Sequence, residues 1–219
     1  MRTWRDNGLT IFLSALTTAT IAGMFITGWF VHNDEIAQHG GTALSLLDYA
    51  ASGHFLSAIF ENWESEFLQM SAYVMLTAAL FQRGSAESKD PDKSASQDED
   101  PTSKAVDRDA PWAVRAGGLF RTLYSYSLGI ALALLFVASF LLHLRYSAAA
   151  ENAEAAMHGK AAQSVTQHLA SAQFWFESLQ NWQSEFLSTA VLVVLSIFLR
   201  FRGSPESKRV ATPHSETGS

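Results

Sequence analysis

The chain has no cysteine. Disulfides and thiolate metal sites are therefore excluded, and the redox compartment leaves no mark on the sequence. Charge is scarce as well. Asp, Glu, Lys and Arg make up 16% of the 219 residues, against about 25% in soluble domains. Positive charge is the scarcer sign, 15 residues against 21, for a net charge of −6. No basic stripe is present to neutralise phosphates, so no nucleic-acid partner is expected. P-loop, nucleophile elbow, HExxH and dinucleotide fingerprints are all missing. The expectation is a non-enzymatic protein without a cofactor.

What is present is a duplication. Residues 33–89 align on 152–208 at a fixed offset of 119, without a gap, with 25 identities in 57 positions. Shared alanines and leucines would mean little. The shared residues include Asn33/Asn152, Glu35/Glu154, His39/His158, Gly40/Gly159 and Phe55/Phe174, together with Asn62-Trp63-Glu64-Ser65-Glu66-Phe67 against Asn181-Trp182-Gln183-Ser184-Glu185-Phe186. Each copy closes on Arg-Gly-Ser-x-Glu-Ser-Lys, at Arg83–Lys89 and Arg202–Lys208. A repeat of this kind constrains any fold before secondary structure is considered.

Apolar runs set the architecture. Leu9 to Val31 carries no charge over 23 positions, enough for a bilayer core that needs about 20 helical residues. The second run, Phe67 to Gln82, is short. Counted from Trp63 to Arg83 it rises about 30 Å, with Trp63 in one interfacial belt and Arg83 in the other. Leu123 to Leu144 and Phe186 to Leu199 repeat the pattern. The fold class expected is all-α, a four-span transmembrane protein made of two parallel repeats, each a long membrane helix, a short external helix and a second membrane helix. The first repeat is 1–89, with spans near 9–31 and 64–82. A disordered cytoplasmic linker follows at 90–111. The second repeat is 112–208, with spans near 121–144 and 183–201, and 209–219 is a disordered tail. Gly40-Gly41 reads as a helix stop. The short helix is expected over Thr42 to Ser52, with Thr42 as N-cap and Gly53 as terminator.

Four spans put both termini and the linker on one side, which holds 13 of the 15 Lys and Arg residues. The positive-inside rule makes that side cytoplasmic in a plasma membrane, and two spans per half make the repeats parallel. The opposite face is acidic and histidine-rich. Six of the seven histidines fall there (His32, His39, His54, His143, His158 and His168), and it would attract cations.

Two duplicated constellations could carry chemistry. Glu66 and Glu185 each lie about 4.5 Å deeper along the helix than their tryptophan, where a carboxylate is costly unless paired, protonated or facing a polar cavity. Brought together across a pseudo-two-fold axis, they could share a proton or bind a cation. The simpler reading has Asn62 or Ser65, and Asn181 or Ser184, capping the helix, the glutamate favouring its positive end, and Trp63 and Trp182 as anchors. The second constellation is Glu35/His39 with Glu154/His158. The i,i+4 spacing places carboxylate and imidazole on one face, and two such pairs would supply two oxygens and two nitrogens for zinc or iron. The alternative is that each histidine bonds the last carbonyls of its helix. Gln183 in place of Glu64 suggests that this position needs polarity rather than charge.

The doubled NWxSEF, with His-Gly upstream and RGSxESK downstream, resembles a family of small bacterial integral membrane proteins of unknown function. The resemblance covers both halves and implies placement in the bacterial inner membrane, with no implied activity. The leading expectation is a membrane protein acting through its outer helical face by interaction or sensing, in contact with the lipid bilayer and open to forming a homo-oligomer. The rivals are a small proton or cation transporter using Glu66 and Glu185, and a metalloprotein using the Glu/His pairs.

Overall fold

The computed structural model describes residues 2–218 and contains helices and turns, with no strand among them. The first helix, α1 (Arg2–Gln38), is broken at Asn7, where φ −134° and ψ 16° leave the helical region. Next come α2 (Leu46–Ala50), α3 (Gly53–Ala79), two short 3-10 turns at Ser96–Asp98 and Pro101–Lys104, α4 (Trp112–Ala116), α5 (Gly118–Ser125), α6 (Ser127–Met157), α7 (Val165–Leu169) and α8 (Ala172–Phe198). Among the described residues two helices are long and apolar enough to cross a membrane: α1 from Thr3, and α6. Large apolar side chains such as Leu9, Phe12, Phe30, Leu128 and Leu134 are exposed on them. An aqueous protein would bury such residues.

Element boundaries recur at the offset of the sequence repeat. Gln38 and Met157 end α1 and α6, α2 matches α7, and α3 matches α8. The duplicated residues explain why. Gly40 and Gly159 take φ of 74° and 66°, a left-handed stop open to glycine. Beyond them Gly41 N–H and Lys160 N–H return to the carbonyls of Ile36 and Ala155 at 2.9 and 2.8 Å. Asn33 then pins the following loop by a two-way bond with the Leu44 backbone, at 2.7 and 3.1 Å. Asn152 does the same with Gln163, at 2.7 and 2.9 Å. Ser45 and Ser164 cap α2 and α7, and the Ser52 and Ser171 hydroxyls accept from Phe55 N–H and Phe174 N–H, both at 3.2 Å.

These caps correct three expectations. The short helix starts at Leu46 with Ser45 as its cap, so Thr42 has no capping role. Gly53 does not end a helix; it opens α3. A β-carbon on Gly53 would meet backbone atoms of α6, Ala150 N at 2.6 Å and Tyr146 O at 2.9 Å, so glycine is there for a close approach. Finally, α3 and α8 begin nine residues before Asn62 and Asn181. Asn62, Ser65, Asn181 and Ser184 are therefore mid-helix and cap nothing. The Ser65 and Ser184 hydroxyls instead bond back to the carbonyls of Asn62 and Asn181, each at 2.9 Å.

The chain forms two compact units. The first unit is Met1–Phe60 with Leu141–Trp175. Its core gathers Tyr49, Phe55, Leu144, Ala148 and Phe174. The second is Glu61–Phe140 with Phe176–Ser219. Here the two RGSxESK stretches close α3 and α8 in the same way. Gly84 and Gly203 turn at φ 85° and 91°. Ser88 and Ser207 accept from the backbone N–H of Gln82 and Phe201, at 2.8 and 2.9 Å. Residues 90–111 and 209–218, expected without structure, make specific contacts. Lys89 Nζ pairs with Asp98 at 2.8 Å, and buried Lys208 Nζ donates to the carbonyls of Gly84, His214 and Glu216.

Candidate functional site

In the second unit α3 and α8 face one another through polar side chains. Asn181 donates to Glu61. Trp182 Nε1 donates to Glu64 Oε1 at 2.8 Å. The carboxyls of Glu66 and Glu185 lie within hydrogen-bonding reach of each other. Gln69 donates to Thr189 Oγ1. Partners advance together along both helices, so the helices run parallel here, and each pair is separated by 118 to 120 residues, close to the repeat offset. Each motif therefore meets its own duplicate.

One turn past Gln69, Tyr73 donates its hydroxyl to Glu87 Oε2 at 2.6 Å. Tyr73, Thr77, Glu87, Lys89, Asp90 and Asp98 line part of a cavity of about 610 Å³. Polar groups thus recur from Glu61 to Tyr73, twelve residues and about 18 Å of helix rise. They continue beyond the helix into this cavity.

The two copies of the motif are not equivalent. Glu64 is fully buried against the Trp182 indole, whereas Gln183 is exposed. The Glu64/Gln183 difference therefore reflects different surroundings, not a shared tolerance for any polar group. Trp63 is 40% exposed and Glu66 is exposed, while Glu185 is half-buried.

The first unit holds six of the seven histidines. His32 and His54 stack at 4.4 Å between ring centres. The Tyr49 hydroxyl lies 3.2 Å from His54 Nδ1, and Glu35 Oε2 is 3.7 Å from His32 Nδ1. Burial, and then the neighbouring His32, push the His54 pKa below its ordinary value, and Glu35 opposes the shift. Fully buried His168 meets Ser147 Oγ at 2.8 Å, and buried His143 packs on Phe174. His39 and His158 come together edge to face at 5.0 Å. Among the described residues no group of three or more His, Asp or Glu side chains could hold a metal ion. Glu35 turns to His32, and the expected four-ligand set of Glu35, His39, Glu154 and His158 is not assembled.

The sequence reading missed Gln69, Thr189, Tyr73 and Glu87. The signal was available in part: Glu66, Gln69, Tyr73 and Thr77 stand three or four residues apart inside an apolar run, which puts them on one stripe of a helix. Glu87 was not findable, because it lies in the loop after α3 while its partner, Tyr73, stands within the helix.

The chain belongs to the family described as a domain of unknown function, DUF6766, whose model matches residues 1–219. No curated protein and no solved structure matches it.

Proposed function

We propose that this family member is a four-span protein of the bacterial inner membrane that passes protons along the polar seam between α3 and α8, with the Glu66–Glu185 pair as its proton-binding site. In this reading α3 and α8 join α1 and α6 as spans. The Trp63-to-Arg83 length supports this, as does the concentration of basic residues beside the termini and linker, which belongs in the cytoplasm. The two repeats insert in parallel around a pseudo-two-fold axis.

The observation that carries the reading is the meeting of Glu66 with Glu185. Ionisable residues inside a membrane are costly, and they mark ion paths or relays more than structure. Two carboxyls hydrogen-bond to each other only when one of them carries a proton, and in this reading the pair shares one. Local structure already accounts for most of the duplicated polar residues: Asn33, Ser45, Ser52, Ser65, Ser88 and their counterparts. Glu66 and Glu185 have no such task. Above the pair, Glu61 and Asn181 face the acidic outer side. Below it, Gln69 and Thr189 lead toward Tyr73, Glu87 and the cavity. The amide and hydroxyl carry no titratable proton, so passage there uses water admitted beside them.

The test is proton flux into liposomes under an imposed potential, read with an enclosed pH dye. Wild type conducts, and Glu66→Gln with Glu185→Gln abolishes conduction while helix content and detergent elution stay unchanged. If the double variant folds and still conducts, the seam is not the path. If it fails to assemble, the pair is interhelical glue. A second reading, acid sensing through the outer layer, is favoured by the buried histidines His143 and His168. It requires an acid-induced change in the outer helices without flux.

A further inference from the structure

We propose that His39 and His158 form a two-histidine site for a divalent transition-metal ion of the zinc class, at the outer ends of α1 and α6. The proposal is independent of the proton path, because it lies wholly in the first unit.

The geometry carries it. The two rings are 5.0 Å apart between centres, with planes at 87°. Two imidazoles bound to one tetrahedral zinc, each at about 2.0–2.1 Å, have ring centres about 5.1 Å apart. The observed spacing matches that value, and the edge-to-face contact sets the two rings side by side.

The tautomer is also set for one of the pair. His39 Nδ1 lies 2.9 Å from the Glu35 carbonyl oxygen, so its N–H donates there. The neutral ring keeps the lone pair on Nε2. This is the usual outer partner of a metal-bound histidine: one ring nitrogen held by a carbonyl and the other given to the metal.

Both histidines also sit on matched, fixed backbone. His39 N–H bonds the carbonyls of Glu35 and Ile36 at 3.3 and 3.2 Å, and His158 N–H bonds those of Glu154 and Ala155 at 3.3 and 3.2 Å. The glycines that follow lock the two helix ends. Each end concentrates partial negative charge from its last carbonyls. The His39 imidazole also bonds one of the last carbonyls of α1, and the backbone turns at Gly40 and Gly159 close the two helix ends, but neither contact requires the two rings to stand 5.0 Å apart. Two protein ligands leave the remaining positions to water, which makes the site open and exchangeable. The preference for zinc over calcium or magnesium follows from nitrogen ligands.

Calorimetric titration of the detergent-solubilised full chain with zinc tests this. The expected result is one zinc per chain in wild type and loss of that binding in His39→Ala and in His158→Ala. In His214→Ala, which removes a histidine outside the site, binding is unchanged. Both site histidines are exposed, so the variants fold, and helix content confirms it. No zinc uptake by wild type would overturn the proposal. So would binding that survives either substitution, or binding lost equally in His214→Ala.

Discussion

The Tyr49 hydroxyl occupies the space that a β-carbon on Gly28 would need, with the ring carbon that bears the hydroxyl 3.4 Å from that point. At the offset of 119, Gly28 corresponds to Ser147 and Tyr49 to His168. In the second copy the Ser147 hydroxyl meets His168 Nε2 at 2.8 Å. Each copy thus has one hydroxyl in the contact between its long helix and its short helix, carried by opposite partners.

This gives a rescue experiment. Gly28→Ala overpacks the contact and should cost about 1–3 kcal/mol. Tyr49→Phe alone loses the hydroxyl bond to His54 and should cost about 1 kcal/mol. Combined with Gly28→Ala, Tyr49→Phe should recover stability, because the nearest atom retreats to contact distance. Thermal unfolding in detergent reads all three. A double variant no better than Gly28→Ala would refute the packing relationship.

Acid should weaken the outer layer through His54. Its folded pKa lies below the ordinary 6.5, through burial and His32, with Glu35 opposing and the Tyr49 hydroxyl on Nδ1. A depressed histidine pKa means the unfolded chain binds the proton first, so unfolding takes up protons. The stabilisation is fully present above about pH 6.5 and is lost as pH falls through the folded value. The melting temperature of wild type should therefore drop below that pH more steeply than that of His54→Gln. Parallel curves would remove His54 as the cause.

The two NWxSEF copies should respond differently at their one mismatch. Glu64→Leu buries the Trp182 indole N–H without its acceptor, at a cost of about 1–3 kcal/mol. Glu64→Gln keeps a carbonyl oxygen for the indole and should be milder. Gln183→Leu, on an exposed position, should stay within about 0.5 kcal/mol. Denaturation midpoints of the three variants would show this order. Equal costs at positions 64 and 183 would mean that the copies share one environment after all.

Much of the helix layout was readable because it is local and stated twice. The stops at Gly40 and Gly159 and the run of α6 out to Met157 follow from glycine chemistry and apolar length. The equivalence of Glu66 and Glu185 followed from the offset alone, whereas their meeting depends on how α3 and α8 pack. The errors have a common origin in contacts distant in sequence. Gly53 looked like a terminator because its reason for being glycine is the backbone of α6, almost a hundred residues away. NWxSEF looked like a helix start because the change in polarity there is real, while the actual caps are the plainer serines Ser52 and Ser171. The contacts of Asp98 with Lys89, and of the His214 and Glu216 carbonyls with Lys208, come from polar segments whose composition alone reads as disorder.

The central claim is that two copies of one hairpin unit cross the same bilayer in the same direction. The absence of cysteine makes it directly measurable, since any single introduced thiol is the only one in the chain. Thr42→Cys and Ala161→Cys mark equivalent exposed loop positions, and Ser94→Cys marks the linker. With a membrane-impermeant maleimide on intact cells, positions 42 and 161 should both label, and position 94 only after the membrane is opened. Labelling of 94 together with 161, or of 42 without 161, would contradict the account.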